Sequence, residues 1–134
     1  MIGGTGREQL RDFYSKYFLA QIPPDMTMTP VSRTVGQGRV VDEFVSHFTH
    51  TLRMDWFLPG VPPTGKHLDV PTVVIVHFEE GKIVSEHLYW DQASVLVQLG
   101  LIDRSLPVLG AEIAPQVIQP TQPMNALLQR AQKR

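Results

Sequence analysis

The chain has 134 residues, 43% hydrophobic and 19% charged, enough for one domain with its own core and unlike a disordered segment. Twelve basic against thirteen acidic residues leave a net charge of -1, which gives no electrostatic basis for partners such as nucleic acid or an anionic membrane. No cysteine is present, excluding disulfides, thiolate metal sites and cysteine nucleophiles, and no apolar run approaches the ~20 residues of a membrane span.

The N-terminus, Met1-Ile-Gly-Gly-Thr-Gly-Arg7, lacks the apolar stretch of a signal peptide, so a cytoplasmic location is expected. Thr5 and Glu8 have capping-box spacing and predict a helix start. Leu10, Phe13, Tyr14, Tyr17 and Phe18 continue it as an apolar stripe at helical spacing. Pro23-Pro24 stop that helix at or before Ile22. A first strand is expected between Met26 and Val35, with Thr27, Thr29 and Val31 on one face. Gly36-Gln-Gly38 then turns into a β-rich run, Arg39–Thr51.

Leu52–Asp69 is interrupted by Pro59-Gly60 and Pro62-Pro63-Thr64-Gly65. A connection of that length points to function or mobility. Val70–Phe78 is apolar at both parities and reads as a central strand covered on both faces, with Pro71 at its first turn or edge. Glu79-Glu80-Gly81 makes a hairpin turn into Ile83–Trp90. Asp91–Leu99 reads as a short helix closed by Gly100. Another short helix is expected within Pro107–Val117, Pro115, Pro120 and Pro123 keep the tail irregular, and Asn125–Arg134 is a solvated helix or frayed. One domain spanning 1–134 is expected, α+β in class, with a curved antiparallel sheet wrapped around a helix.

The hairpin carries the functional argument. A three-residue loop with Gly81 in the left-handed conformation pairs Phe78 with Lys82. His77 then faces Ile83, and alternation puts His77, Ile83, Ser85, His87, Tyr89 and Asp91 on one face. Phe78, Val84, Leu88 and Trp90 fall on the other. The first face gathers the titratable groups, and a carboxyl desolvated there is tuned toward acid/base work. His77 or His87 would handle the second proton. Each residue also has a plain structural reading. Asp91 stands where a strand meets a helix and suits an N-cap, the histidines suit half-buried strand positions, and Tyr89 and Trp90 suit a core. His47-x-x-His50 has metal-like spacing, but residues three apart on a strand point to opposite faces. His67 falls in the loop segment, where it is solvated. His47 and His50 are therefore not expected to share a metal.

Gly6-Arg7-Glu8-Gln9-Leu10, Phe48-Thr-His-Thr51, Pro62-Pro63-Thr64-Gly65-Lys66, Phe78-Glu-Glu-Gly-Lys-Ile83, Tyr89-Trp-Asp91 and Gln98-Leu-Gly100 occur in this order. The ordered set, from about Gly6 to Leu101 with residues 102–134 as an extension, resembles SnoaL-like polyketide-cyclase proteins of the nuclear-transport-factor-2-like superfamily. Met54-Asp55-Trp56 resembles a subset labelled carboxymethylenebutenolidase-like. The resemblance implies a cystatin-like cone around a deep apolar pocket, a homodimer, and no metal or organic cofactor. It implies that Asp91 is the general acid/base of an aldol-type ring closure and that His77 assists it. The family carries two helices ahead of the Gly-Arg-Glu segment where this sequence has only Met1–Thr5. An N-terminal shortening, or a partner subunit covering the sheet, is thus expected.

Dienelactone hydrolysis of the usual kind needs a nucleophilic cysteine and is rejected. The expected function is a cofactor-independent isomerase or cyclase acting on a small apolar or aromatic carbonyl compound. Asp91 and His77 would be catalytic, and His87, Tyr89, Phe44, Phe48, Trp56 and Phe57 would bind substrate. The alternative is a non-catalytic ligand-binding or dimerisation module of the same fold.

Overall fold

A computed structural model describes residues 2–119, 121 and 124–133. Met1, Pro120, Gln122, Pro123 and Arg134 lie outside the described residues, so the expected effect of Pro120 and Pro123 on the tail has no structural counterpart. Five antiparallel strands form one sheet in the order β1-β5-β4-β3-β2, comprising β1 (Ile2–Thr5), β2 (Thr27–Gly36), β3 (Arg39–Thr49), β4 (His67–Glu79) and β5 (Lys82–Trp90). Helix α1 (Gly6–Asp12) continues through a π-helical turn, Phe13–Phe18, and a 3₁₀ turn, Leu19–Gln21. Helices α2 (Gln92–Gln98), α3 (Ile113–Ile118) and α4 (Ala126–Gln132) follow the sheet. The fold is the expected α+β cone with a curved sheet.

Strand β1 is an addition to the sequence reading. Ile2-Gly-Gly-Thr5 has no β-forming run of its own, and it pairs with β5 from Ile2↔Leu88 to Thr5↔Ser85. Gly3, at φ +137°, permits the approach, since a Cβ there would lie 1.8 Å from the Glu86 carbonyl oxygen. The helix starts as expected after Thr5, but the capping partner differs. The Gln9 side chain accepts from the Thr5 amide at 3.1 Å, and the Thr5 side chain makes no cap bond.

The hairpin corrects the expected register. Its loop is two residues, Glu80 and Gly81, both with positive φ (49° and 72°), pairing Glu79 with Lys82 and Phe78 with Ile83. This one-residue slip alone would have exchanged the faces of β5. A bulge between the Phe78↔Ile83 and His77↔Ser85 pairs restores them, so Ile75 faces His87 and Val73 faces Tyr89. Ile83 is the exception and shares the face of Phe78. A second bulge after Pro30 removes Val31 from the expected alternation in β2. Pro71 lies inside the central strand β4 rather than at its edge. Pairing with β5 stops at Thr72↔Trp90, so that side of the strand requires no donor at position 71.

One face of the sheet, here the inner face, carries Phe44, Phe48, Val70, Leu88 and Trp90. The core lies against one end of it, where Phe48, Leu68 and Val70 pack with Val95 of α2, with Leu99 just after α2, and with Met54, Phe57 and Leu58. The 50–66 connection thus inserts three buried side chains into the core, and its turn is closed by amides of Phe57 and Leu58 donating to the Met54 carbonyl. Gly100 (φ 71°) ends α2 as expected, and Lys66 Nζ donates to the Leu99 carbonyl there. No helix among the described residues is long and apolar enough to cross a membrane.

Candidate active site

The inner face holds an aromatic cavity of about 70 Å³. Phe44, Phe48, Trp56 and Phe57 line it, joined by Phe18, Leu88 and Trp90. Ring contacts make the wall continuous: Phe18–Trp56 at 5.0 Å, Trp56–Phe57 at 5.3 Å, Phe57–Trp90 at 5.1 Å and Phe48–Phe57 at 5.7 Å. Gln92 anchors this wall, accepting from Trp90 Nε1 at 2.5 Å and donating to the Phe57 carbonyl at 3.1 Å. The volume suits a few waters. Met26 and Met28 also line the cavity, and flexible thioethers are the side chains most able to yield to a larger guest.

Two buried polar groups lie on the elements that build this wall. Trp56 Nε1 is a buried donor with no acceptor among the described residues. Such a group costs about 1–3 kcal/mol unless something accepts from it. The second is Glu86, only 7% exposed, which accepts from Tyr14 Oη at 2.7 Å. Burial first, and then the Glu86 carboxylate, push the Tyr14 phenol well above its ordinary range, so Tyr14 stays protonated and donates. Glu86, Leu88 and Trp90 form one row on β5, since every second residue faces the same side. Tyr14 packs on Phe18 at 5.4 Å, linking the pair to the cavity wall. Tyr14 also borders an open groove of about 730 Å³ with Arg7, Arg11 and Lys82. Tyr14 thus touches Phe18 of the cavity wall, holds Glu86, and borders a cation-rimmed groove.

The other candidates lie on the outer face. His77, His87 and Tyr89 share it, as expected from alternation. The structure does not bring His77 and Asp91 together. His77 pairs with Ser85 beside the turn, and its Nε2 lies 3.9 Å from Glu79. Asp91 is six residues farther on, about 20 Å at the rise of a strand. It is exposed and accepts from the Ser94 amide at 3.1 Å as the N-cap of α2. Asp91 and Tyr89 do line one outer depression, of about 320 Å³, with Glu43, Val73 and Ile113. The outer face thus does not hold all the titratable groups of the hairpin, because Glu86 faces inward.

His47 and His50 make no shared contact. His50, one residue past β3, is fully buried; its Nδ1 lies 3.2 Å from Thr64 Oγ1 and its Nε2 has no partner among the described residues. Burial holds its imidazole below the usual histidine range. His67 opens β4 rather than lying in a loop, and it is exposed as expected.

A family profile described as SnoaL-like polyketide cyclase matches residues 4–99. The chain belongs to that family. Among solved structures, a protein from Jannaschia sp. CCS1 provisionally described as a SnoaL-like polyketide cyclase is 23% identical, with a TM-score of 0.55 over 72% of this chain and 62% of the other. That likeness shows the fold. IdmH from Streptomyces antibioticus, provisionally a polyketide cyclase, is 30% identical over 57% of this chain and 52% of its own, at a TM-score of 0.45. AclR from Streptomyces galilaeus, provisionally a hydroxylase, is 25% identical over 60% and 57%, at 0.48. The chain spans between 52% and 62% of the length of these neighbours. No curated protein matches.

Within this family member, sequence reasoning missed Glu86 and Tyr14. A signal was present: one acid interrupts the apolar row Val84, Leu88, Trp90 on the inward parity of β5.

Proposed function

We propose that this SnoaL-like protein is a cyclase-type enzyme that removes an α-proton from a small, mostly aromatic carbonyl compound. The carrying observation is a buried indole donor with no acceptor among the described residues, on Trp56, a residue that lines the aromatic cavity, together with the buried Glu86 on the same face of β5 as the lining residues Leu88 and Trp90. In this reading the substrate ring occupies the hollow, and its carbonyl oxygen accepts from Trp56 as negative charge develops there. Glu86 takes the α-proton, and the Tyr14 hydroxyl holds that carboxylate in place. The resulting enolate attacks a second carbonyl of the same molecule, forming one carbon–carbon bond. The proton on Glu86 then returns to the new alkoxide, leaving the enzyme unchanged. Arg7, Arg11 and Lys82 suit an anionic tail in the adjoining groove.

A second reading places the chemistry on the outer face, with Asp91 as the base. The depression it shares with Tyr89 favours that reading, and family resemblance supports Asp91, while the distance from His77 removes the proposed assistant. One experiment separates the two. The chain is incubated in D2O with a panel of small aromatic 1,3-diketones, and loss of the α-proton signal is followed by NMR. The inner-face reading expects exchange above the buffer rate that is lost in Glu86→Gln and kept in Asp91→Asn. No enhanced exchange with any diketone, or exchange indifferent to Glu86→Gln, overturns it.

A further inference from the structure

We propose that His47, His67 and Asp69 form a divalent transition-metal site on the outer face of the sheet, distinct from the aromatic cavity. His47 on β3 stands directly opposite Asp69 on β4, and His67 lies two residues before Asp69. A strand repeats its facing every second residue, so the three side chains converge on one side. His47 Nδ1 is 2.6 Å, and His67 Nε2 3.2 Å, from the same oxygen, Asp69 Oδ1. One donor atom from each residue lies within 4.8 Å of the others. Tetrahedral zinc with bonds of about 2.0–2.2 Å needs donor atoms about 3.4 Å apart. Opening the shortest contact by under an ångström and closing the widest, at most 4.8 Å, by up to about 1.4 Å brings the three donors to that spacing.

A hydrogen-bonded pair requires only one histidine; here two imidazoles address a single carboxylate oxygen. The surroundings also hold the donors in place. Thr29 Oγ1 lies 2.9 Å from His47 Nε2, engaging the nitrogen that would not bind metal. Gln98 on α2 clamps the backbone of Asp69, accepting from its amide and donating to its carbonyl, both at 3.0 Å. Partners of this kind fix ring orientation and carboxylate position around metal ions. Two nitrogens and one oxygen suit zinc, cobalt or nickel rather than magnesium or calcium. The His67 side chain is 57% exposed and the other two about a quarter, which leaves the fourth position open to water or an oxygen-donor ligand.

The test uses the full chain, titrated with zinc by calorimetry and with cobalt(II) by visible absorption. One equivalent per chain is expected, with the intense d–d bands of a tetrahedral cobalt centre. His67→Gln, a change at an exposed side chain, and Asp69→Asn should each weaken binding by more than about 100-fold, beyond the usual effect of an outer partner. His77→Gln, on the same face but remote, should leave binding unchanged. Absence of binding for both metals, or binding that survives His67→Gln and Asp69→Asn, overturns the site.

Discussion

Strand β5 presents two rows of side chains whose surroundings differ more than their chemistry. The inner row, Glu86, Leu88 and Trp90, is covered by Tyr14, Phe18 and the 50–66 connection, and its single acid is almost wholly buried. The outer row, Ser85, His87, Tyr89 and then Asp91, has more polar groups, yet Tyr89 is 43% exposed and Asp91 is solvated at a helix start. Water screens charges and competes for hydrogen bonds, so the same carboxyl does less on the open side. What sets a candidate site apart is therefore enclosure of one polar group among aromatic rings, not a count of titratable residues.

That contrast breaks first at Glu86. Glu86→Gln preserves shape and the Tyr14 contact but removes the base, and α-proton exchange should fall by about 10²–10⁴-fold. Trp56→Phe keeps the ring wall and deletes the donor. Exchange measured on this variant should drop by about 10²–10³-fold, as for loss of one oxyanion donor. A rate within twofold of the parent would detach Trp56 from the reaction.

Smaller effects sharpen the comparison through stability. Gly81→Ala meets nothing within 4 Å of its new Cβ, so it reports backbone conformation alone. Denaturant unfolding should show a loss of about 1–2 kcal/mol. Asp91→Ala should cost about 1 kcal/mol by removing the α2 cap, with exchange unaltered; a lost activity without lost stability would favour the outer face. His50 supplies a pH signature. Because its folded pKa is lowered by burial, its neutral form is favoured in the fold. Stability is full above the ordinary histidine value of 6.5 and declines as pH falls from there through the lowered folded value. Melting temperatures from pH 8 to 5 should fall less steeply in His50→Gln.

Much of the fold was legible. Helical spacing at Leu10, Phe13 and Tyr14, the Gly36–Gly38 turn, the chain reversal at Gly81 (though not its loop length) and the Asp91-to-Gly100 helix all carry local chemistry that sequence displays. Strand β1 does not, because Ile2–Thr5 becomes a strand only by adding to the β5 edge. The bulge in β5 is likewise invisible locally; it cancelled the shorter turn, so the faces came out right from the wrong register. Near the site, Phe44, Phe48, Trp56 and Phe57 stand out in the sequence as aromatic residues, but their facing is set only by the strand register and by the 50–66 connection. Glu86 was obscured because His77 and Asp91 drew attention to the opposite parity. The cluster of His47 with His67 and Asp69 arises from cross-strand pairing over twenty residues of sequence, which spacing within one segment does not reveal.

The most direct test of the inner-face account is a ¹⁵N NMR titration with the diketone that raises the melting temperature most. The chain has two tryptophans, and both line the cavity, so two indole N–H signals report on it without ambiguity. The account predicts that the Trp56 signal moves downfield and farthest, with the Glu86 and Leu88 amides following and the His77 and Asp91 amides still. Shifts confined to Tyr89, Asp91 and their neighbours, with both indoles unmoved, would contradict it.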